Sequence, residues 1–154
     1  MDTKLLSEIK NNQISGLKFP LIIKPRFGRG SRGVLKINNE TKLQYFLEKK
    51  KIKRNQWIIQ RYIDGPEFTV SVVCINSKTN FAIVPKKIVL KKRITKIAYS
   101  CFNKSIEEVC RKIIIKMNPK GPFNVQCRID RLTNKVYIFE INPRFSTSTT
   151  LTVA

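Results

Sequence analysis

The residues VYIFEINPRF, Val136 to Phe145, place an acid, an amide and a guanidinium at alternate positions of an otherwise apolar run. Alternate side chains of a strand share a face, so Tyr137, Phe139 and Ile141 are expected on one side and Glu140, Asn142 and Arg144 on the other. Each polar group on such an edge needs a partner or a ligand, which makes the edge a candidate site. The preceding run, PFNVQCRID, alternates in the same way, with Val125, Cys127 and Ile129 against Asn124, Gln126 and Arg128. Thr133 and Asn134 supply turn chemistry between the runs, so the two read as an antiparallel hairpin. A turn centred on Thr133 sets Gln126 opposite Glu140 and Asn124 opposite Asn142, with Cβ atoms about 5 Å apart. Gln126, Glu140 and Asn142 then converge as oxygen donors with one formal negative charge. Magnesium takes oxygen ligands, keeps several waters and is shared with substrate phosphates, so this sparse set suits a magnesium nucleotide. The simpler use of the same residues is a hydrogen-bonded polar ladder on a solvated face.

Those strands belong to a chain of 154 residues, long enough for one domain with its own core. The sequence has no membrane-length apolar run and no secretory signal, and its four cysteines lack CxxC spacing. A zinc site is therefore not expected, and reduced thiols in a cytoplasmic protein are. Histidine is absent, which removes Ser-His and Cys-His nucleophilic catalysis. The net charge of +21, from 31 basic and 10 acidic residues, attracts polyanions in general and names no particular one.

In chain order, Leu5, Leu6 and Ile9 have helical spacing over about two turns, and FPLIIK, Phe19 to Lys24, reads as a buried strand. RFGRGSRGV follows, with half of the six glycines inside six residues. Gly28, Gly30 and Gly33 spell G-x-G-x-x-G, but a strand-like VLKIN follows where a dinucleotide fold needs a helix, and no Gly-Lys-Ser/Thr ends the loop. What remains is a strand, loop, strand flap whose backbone N–H groups could cover phosphates, with Lys24, Arg26, Arg29 and Arg32 adding charge. Asn39 caps an expected helix from Glu40 to about Lys51, with Leu43, Phe46 and Leu47 inward. Strands are expected at Trp57 to Arg61, Glu67 to Cys74 and Phe81 to Leu90, while Arg93 to Asn103 carries no clear signal. A capping box from Ser105 to Glu108 opens a second helix with Ile106, Val109, Cys110, Ile113 and Met117 buried, ending over Asn118 to Pro122. The order is mixed α+β.

FPLIIKPRFGRGSRGV, WIIQRYIDGPEFTVSVV, GPFNVQCRID and FEINPRFSTSTTL, in this order and spacing, closely resemble the ATP-grasp domain of the carbamoyl-phosphate synthetase large chain and related carboxylate-amine ligases. The resemblance runs from about Lys18 to Ala154. It implies an ATP-grasp fold, two small α+β lobes with nucleotide between antiparallel sheets. It places Lys24 against the nucleotide phosphates, Gly28, Gly30 and Ser31 in the flap, and Gln60, Tyr62 and Ile63 at a hinge whose backbone reads the adenine edge. Glu67 matches the acid on the ribose hydroxyls. Gln126, Glu140 and Asn142 match the magnesium ligands, in agreement with the hairpin, and Arg144 matches the catalytic arginine at the transferring phosphoryl group.

The implied cofactors are ATP with magnesium, or manganese in its place. The implied reaction activates a small carboxylate, or bicarbonate, as an acyl phosphate for attack by an amine, and it asks the protein for positioning and charge neutralisation. Family members carry an upstream domain and continue into a helix beyond the TLTVA end, so the resemblance also implies a truncated chain, or one that works with a separate substrate-binding domain or subunit. Two alternatives stand beside the ligase: a nucleotide-binding but catalytically incomplete fragment, and a basic nucleic-acid-binding module that lacks the aromatics of a stacking platform. No membrane partner is expected.

Overall fold

The computed structural model describes residues 3–9, 17–28, 31–49, 52–76, 78–92 and 94–145, without the side chains of 49, 90–92 and 94. The chain forms two compact units, 1–62 and 63–154.

The first unit holds four strands in the order β1-β4-β2-β3, all antiparallel: β1 Thr3–Leu5, β2 Leu21–Pro25, β3 Leu35–Ile37 and β4 Trp57–Arg61. Helix α1, Glu40–Lys49, is capped as its sequence requires, with the Lys42 N–H donating 3.0 Å to Asn39 Oδ1. Leu43 and Phe46 bury its inner face against Leu21, Ile23, Ile37 and Ile59. Full burial of each such side chain is worth about 1.5–3 kcal/mol over exposure. Leu5, Leu6 and Ile9 do not form the expected two-turn helix. Leu5 ends β1, a single 3-10 turn covers Leu6–Glu8, and Leu6 and Ile9 join the core. Pairing of Thr3–Leu5 with β4 outweighs a helical signal only two turns long.

The second unit is a five-stranded antiparallel sheet, β7-β6-β5-β8-β9, with one helix. Its strands are β5 Glu67–Asn76, β6 Asn80–Lys92, β7 Ile94–Ser100, β8 Gly121–Ile129 and β9 Val136–Asn142. Helix α2, Lys104–Met117, packs Ile106, Cys110 and Ile114 on Phe68, Val70, Val72, Cys74, Phe123, Val125 and Cys127. The cap is Asn103, whose side chain accepts from the Ile106 N–H at 3.0 Å, and not Ser105. The buried stripe runs 106, 110, 114, and Met117, in the last turn, is 62% exposed instead of buried. Asn118 ends the helix in the left-handed conformation, φ 44°. The stretch without a clear sequence signal is largely β7, one of the sheet's two edge strands. Among the described residues no helix is long and apolar enough to cross a membrane.

Candidate nucleotide and metal site

The hairpin of β8 and β9 brings together the residues expected to hold a metal, by a route the sequence does not announce. Asp130 organises the turn: its Oδ1 accepts from the N–H groups of Leu132 and Thr133 at 2.9 and 3.0 Å, and Asn134 takes φ 55°. Next to this turn Ile129 faces Val136 and Arg128 faces Tyr137. Continued unbroken, that register would set Gln126 opposite Phe139. The register instead shifts between Cys127, which faces Ile138, and Gln126, which faces Glu140. Phe139 is the extra residue of a β-bulge. Beyond it Asn124 faces Asn142, and the expected pairing holds.

The bulge also corrects the expected faces. Val136 and Ile138 pack on the cluster beneath α2, while Tyr137 faces Arg128 and so shares the side of Gln126 and Glu140. Arg144 does not continue the alternation. β9 stops at Asn142, Pro143 cannot donate to a ladder, and the Arg144 N–H turns back 2.8 Å to the Asn142 carbonyl. Its Nη1 donates 3.2 Å to the Phe145 carbonyl.

The sheet face away from α2 is polar throughout its centre. β5 contributes Glu67, Thr69 and Ser71, which face Arg128, Gln126 and Asn124 of β8. Asn124, 2% exposed, donates 2.9 Å to Thr69 Oγ1 and 3.0 Å to the Val70 carbonyl. Asn142 Nδ2 donates 2.9 Å to Glu140 Oε1. Glu67, expected at a ribose, is paired with Arg128 Nη2 at 2.7 Å, and Arg128 Nη1 reaches the Ile63 carbonyl at 3.4 Å. The turn before Glu67 is fixed by Gly65, where an added Cβ would fall inside the Ile129 carbonyl. Arg128 is on this face as its alternation predicts, with Glu67 as a partner the sequence does not show, and the buried Lys86 is a member of the face that the sequence reading passed over. Lys86 sits in a basic run that reads as solvated, and only its pairing opposite Thr69 reveals it.

The donor set fits magnesium in kind. Gln126 and Asn142 offer amide oxygens and Glu140 one carboxylate, all on one face of two adjacent strands, and all hard donors. Among the described residues no three of Cys, Asp and Glu gather into a metal-holding group, as expected where two of the donors are amides.

The remaining candidates lie in the first unit, except Ile63, which is buried at the start of the second. Lys24 faces Ile58, and Ile22 faces both Gln60 and Lys36, so Lys24, Lys36 and Gln60 share the sheet face away from Leu21 and Ile23. Gln60, 7% exposed, donates 2.7 Å to Thr3 Oγ1. The Tyr62 N–H donates 3.1 Å to the Pro20 carbonyl, and the Lys36 ammonium sits 3.7 Å over the Tyr62 ring. In the flap, β2 and β3 pair as expected, and Ser31 takes φ 57°. Gly33 has φ 76°, and a Cβ there would press on Pro25 Cγ at 2.9 Å. Gly28 has no such constraint. Gly30 lies outside the described residues.

An ATP-grasp domain family model matches residues 4–148. The chain belongs to the ATP-grasp family. It is 30% identical over 140 residues to D-alanine–D-alanine ligase of Petrotoga mobilis, covering 81% of this chain and 46% of the ligase. It is 26% identical over 179 residues to the carbamoyl phosphate synthase large chain of Caldanaerobacter subterraneus subsp. tengcongensis, covering 94% of this chain and 16% of the synthase. Among solved structures, N5-carboxyaminoimidazole synthetase from Staphylococcus aureus complexed with ADP superposes with a TM-score of 0.71 at 26% identity, over 90% of this chain and 38% of that one. The chain thus spans less than half the length of each of these ATP-grasp relatives.

Proposed function

We propose that this ATP-grasp chain binds ATP with magnesium and takes part in activating a small carboxylate, or bicarbonate, as an acyl phosphate for attack by an amine. The observation that carries the reading is the bulged hairpin, which sets Gln126 across from Glu140 and Asn142 across from Asn124 on the polar face. Gln126, Glu140 and Asn142 would hold the magnesium, which when bound neutralises phosphate charge and polarises the γ-phosphoryl group. Lys24 supplies a fixed cation for the phosphates, and the Gly28 to Ser31 flap supplies backbone N–H groups over them. Gln60, Tyr62 and Ile63 frame the adenine, Glu67 takes the ribose, and Arg144 meets the charge that develops on the transferring group. The relatives support this chemistry by name, being a ligase, a synthase and a synthetase solved with ADP.

The test is isothermal titration of the chain with a non-hydrolysable ATP analogue, with and without magnesium, on wild type and Glu140→Ala. One-to-one binding that needs magnesium, and that the variant loses by about 10-fold or more, is the expected result; a carboxylate ligand contributes charge no amide replaces. Equal affinity with and without magnesium would overturn the site. Turnover with carboxylates and amines is a separate readout. Binding without turnover would make the chain a nucleotide-binding module that needs a further substrate-binding domain or subunit.

A further inference from the structure

The polar face of the second unit has a cation at its centre that the proposed metal site does not use. Lys86 on β6 lies directly across from Thr69, Thr69 from Gln126, and Gln126 from Glu140; on its other side Lys86 faces Ser100 of β7. Directly opposed residues of antiparallel strands share a face. Five polar side chains therefore form one rung across the sheet, with two candidate metal ligands at one end and an ammonium two strands away, about 10 Å along the rung. Lys86 is 0% exposed, and its Nζ donates 2.9 Å to Ser71 Oγ. Ser71 belongs to the next rung, across from Asn124, which is across from Asn142. The lysine thus ties the rung of Gln126 and Glu140 to the rung of Asn142.

Lysine is almost never enclosed completely, because removing an ammonium from water is costly. Val84, the next residue of β6 on this face, is apolar, and the cluster beneath α2 lies on the other side. Among the described side chains, the charged groups of the same face are Glu67 on β5 and Arg128 on β8, which pair with each other, and Glu140 on β9. Lys96 is the charged group of β7 with a described side chain.

We infer that Lys86 is a positioning residue for the phosphate end of the nucleotide, a fixed charge behind the Thr69, Gln126 and Glu140 rung that acts through the Ser71 hydroxyl and its field. The inference rests on the proposed magnesium nucleotide site and adds to it the ligand class that the lysine selects, a polyphosphate over an uncharged nucleoside. Burial pulls the Lys86 ammonium below the usual lysine value, and a polyanion bound on this face favours the charged form again.

The experiment compares binding of Mg-ADP and of adenosine to wild type, Lys86→Met and Lys86→Arg. Methionine keeps the length and removes the charge, so Mg-ADP affinity should fall about 10- to 100-fold, as for residues that support metal ligands from behind, while adenosine affinity stays unchanged. Arginine should restore most of the Mg-ADP affinity. Equal losses for Mg-ADP and adenosine would mean a structural role and overturn the inference, as would no loss at all. If Lys86→Met does not fold, Ser71→Ala carries the test: a loss confined to Mg-ADP supports the inference, and unchanged Mg-ADP binding overturns it. A wild-type chain that binds no Mg-ADP would instead bring down the nucleotide reading itself, a result distinct from any of these.

Discussion

Cys110 of α2 and Cys127 of β8 both lie inside the apolar cluster of the second unit. Burial, aided by the nearby Glu107 charge, pushes the Cys110 thiol up to about 12. Burial does the same for Cys127, with Cys110, Glu67 and Cys101 adding to it. The thiolate is the reactive form, and burial keeps it scarce near pH 8 as well as shielding the sulfur from reagent. Alkylation at pH 8 should therefore leave both residues unmodified in the folded chain and label them after denaturation, as peptide mass spectrometry would show. Rapid native labelling of either would place it outside the core. The same contrast marks what single residues disclose in the sequence. Glu140 and Asn142 stand out because polar groups interrupt an apolar run, whereas Lys86 hides in PKKIVLKKR, where charge looks like solvated surface. Arg128 looks like an ordinary alternate polar position until Glu67, 61 residues away in sequence, is found against it.

At the level of elements, strand and helix positions follow closely from periodicity. β4 spans Trp57–Arg61 as expected, and α1 begins after Asn39 as its cap predicts. What periodicity cannot supply is a register that changes inside an element. The expected Gln126 and Glu140 pairing rested on a turn centred at Thr133, yet the turn pairs Arg128 with Tyr137, and Phe139 makes up the difference. β7 was hidden for a related reason: an edge strand with little burial has little apolar signal to read. The bulge makes a sharp prediction, because a one-residue slip moves every later side chain to the opposite face. Phe139 is the residue in excess, so deleting it should leave Ile138 opposite Cys127 and Glu140 opposite Gln126 in an unbroken ladder, whereas deleting Ile138 and Phe139 together should set Glu140 opposite Cys127 and turn it to the α2 side. Magnesium-dependent nucleotide binding should be retained by the single deletion and by Phe139→Ala, and lost by the double deletion. Calorimetric titration of the three variants measures this, and a double-deletion variant that still binds would show that the register beyond the bulge does not set the site.

The whole molecule carries +21 charges on 154 residues, and from Phe68 to Ile106 the sequence contains no acid at all. Self-repulsion on this scale works against any compact state. Salt should relieve it, since the screening length falls from about 30 Å at 0.01 M to about 8 Å at 0.15 M. The midpoint of thermal unfolding, followed by circular dichroism, is expected to rise over this range and then level off. Magnesium nucleotide should add a separate increment, about 2.7 kcal/mol at 100 times its dissociation constant, because ligand that binds only the folded state stabilises it by mass action. Glu140→Ala distinguishes the two effects. It removes one of ten acids, raising the net charge by one, so the salt-dependent rise should persist or grow slightly while the magnesium nucleotide increment disappears. If the nucleotide increment survives in the variant and fades with salt in the wild type, the phosphates are being gathered by the general positive field and not by the Gln126, Glu140 and Asn142 face. If the midpoint does not respond to salt, the charges are locally compensated, and the positive field is too weak to account for nucleotide binding without a specific site.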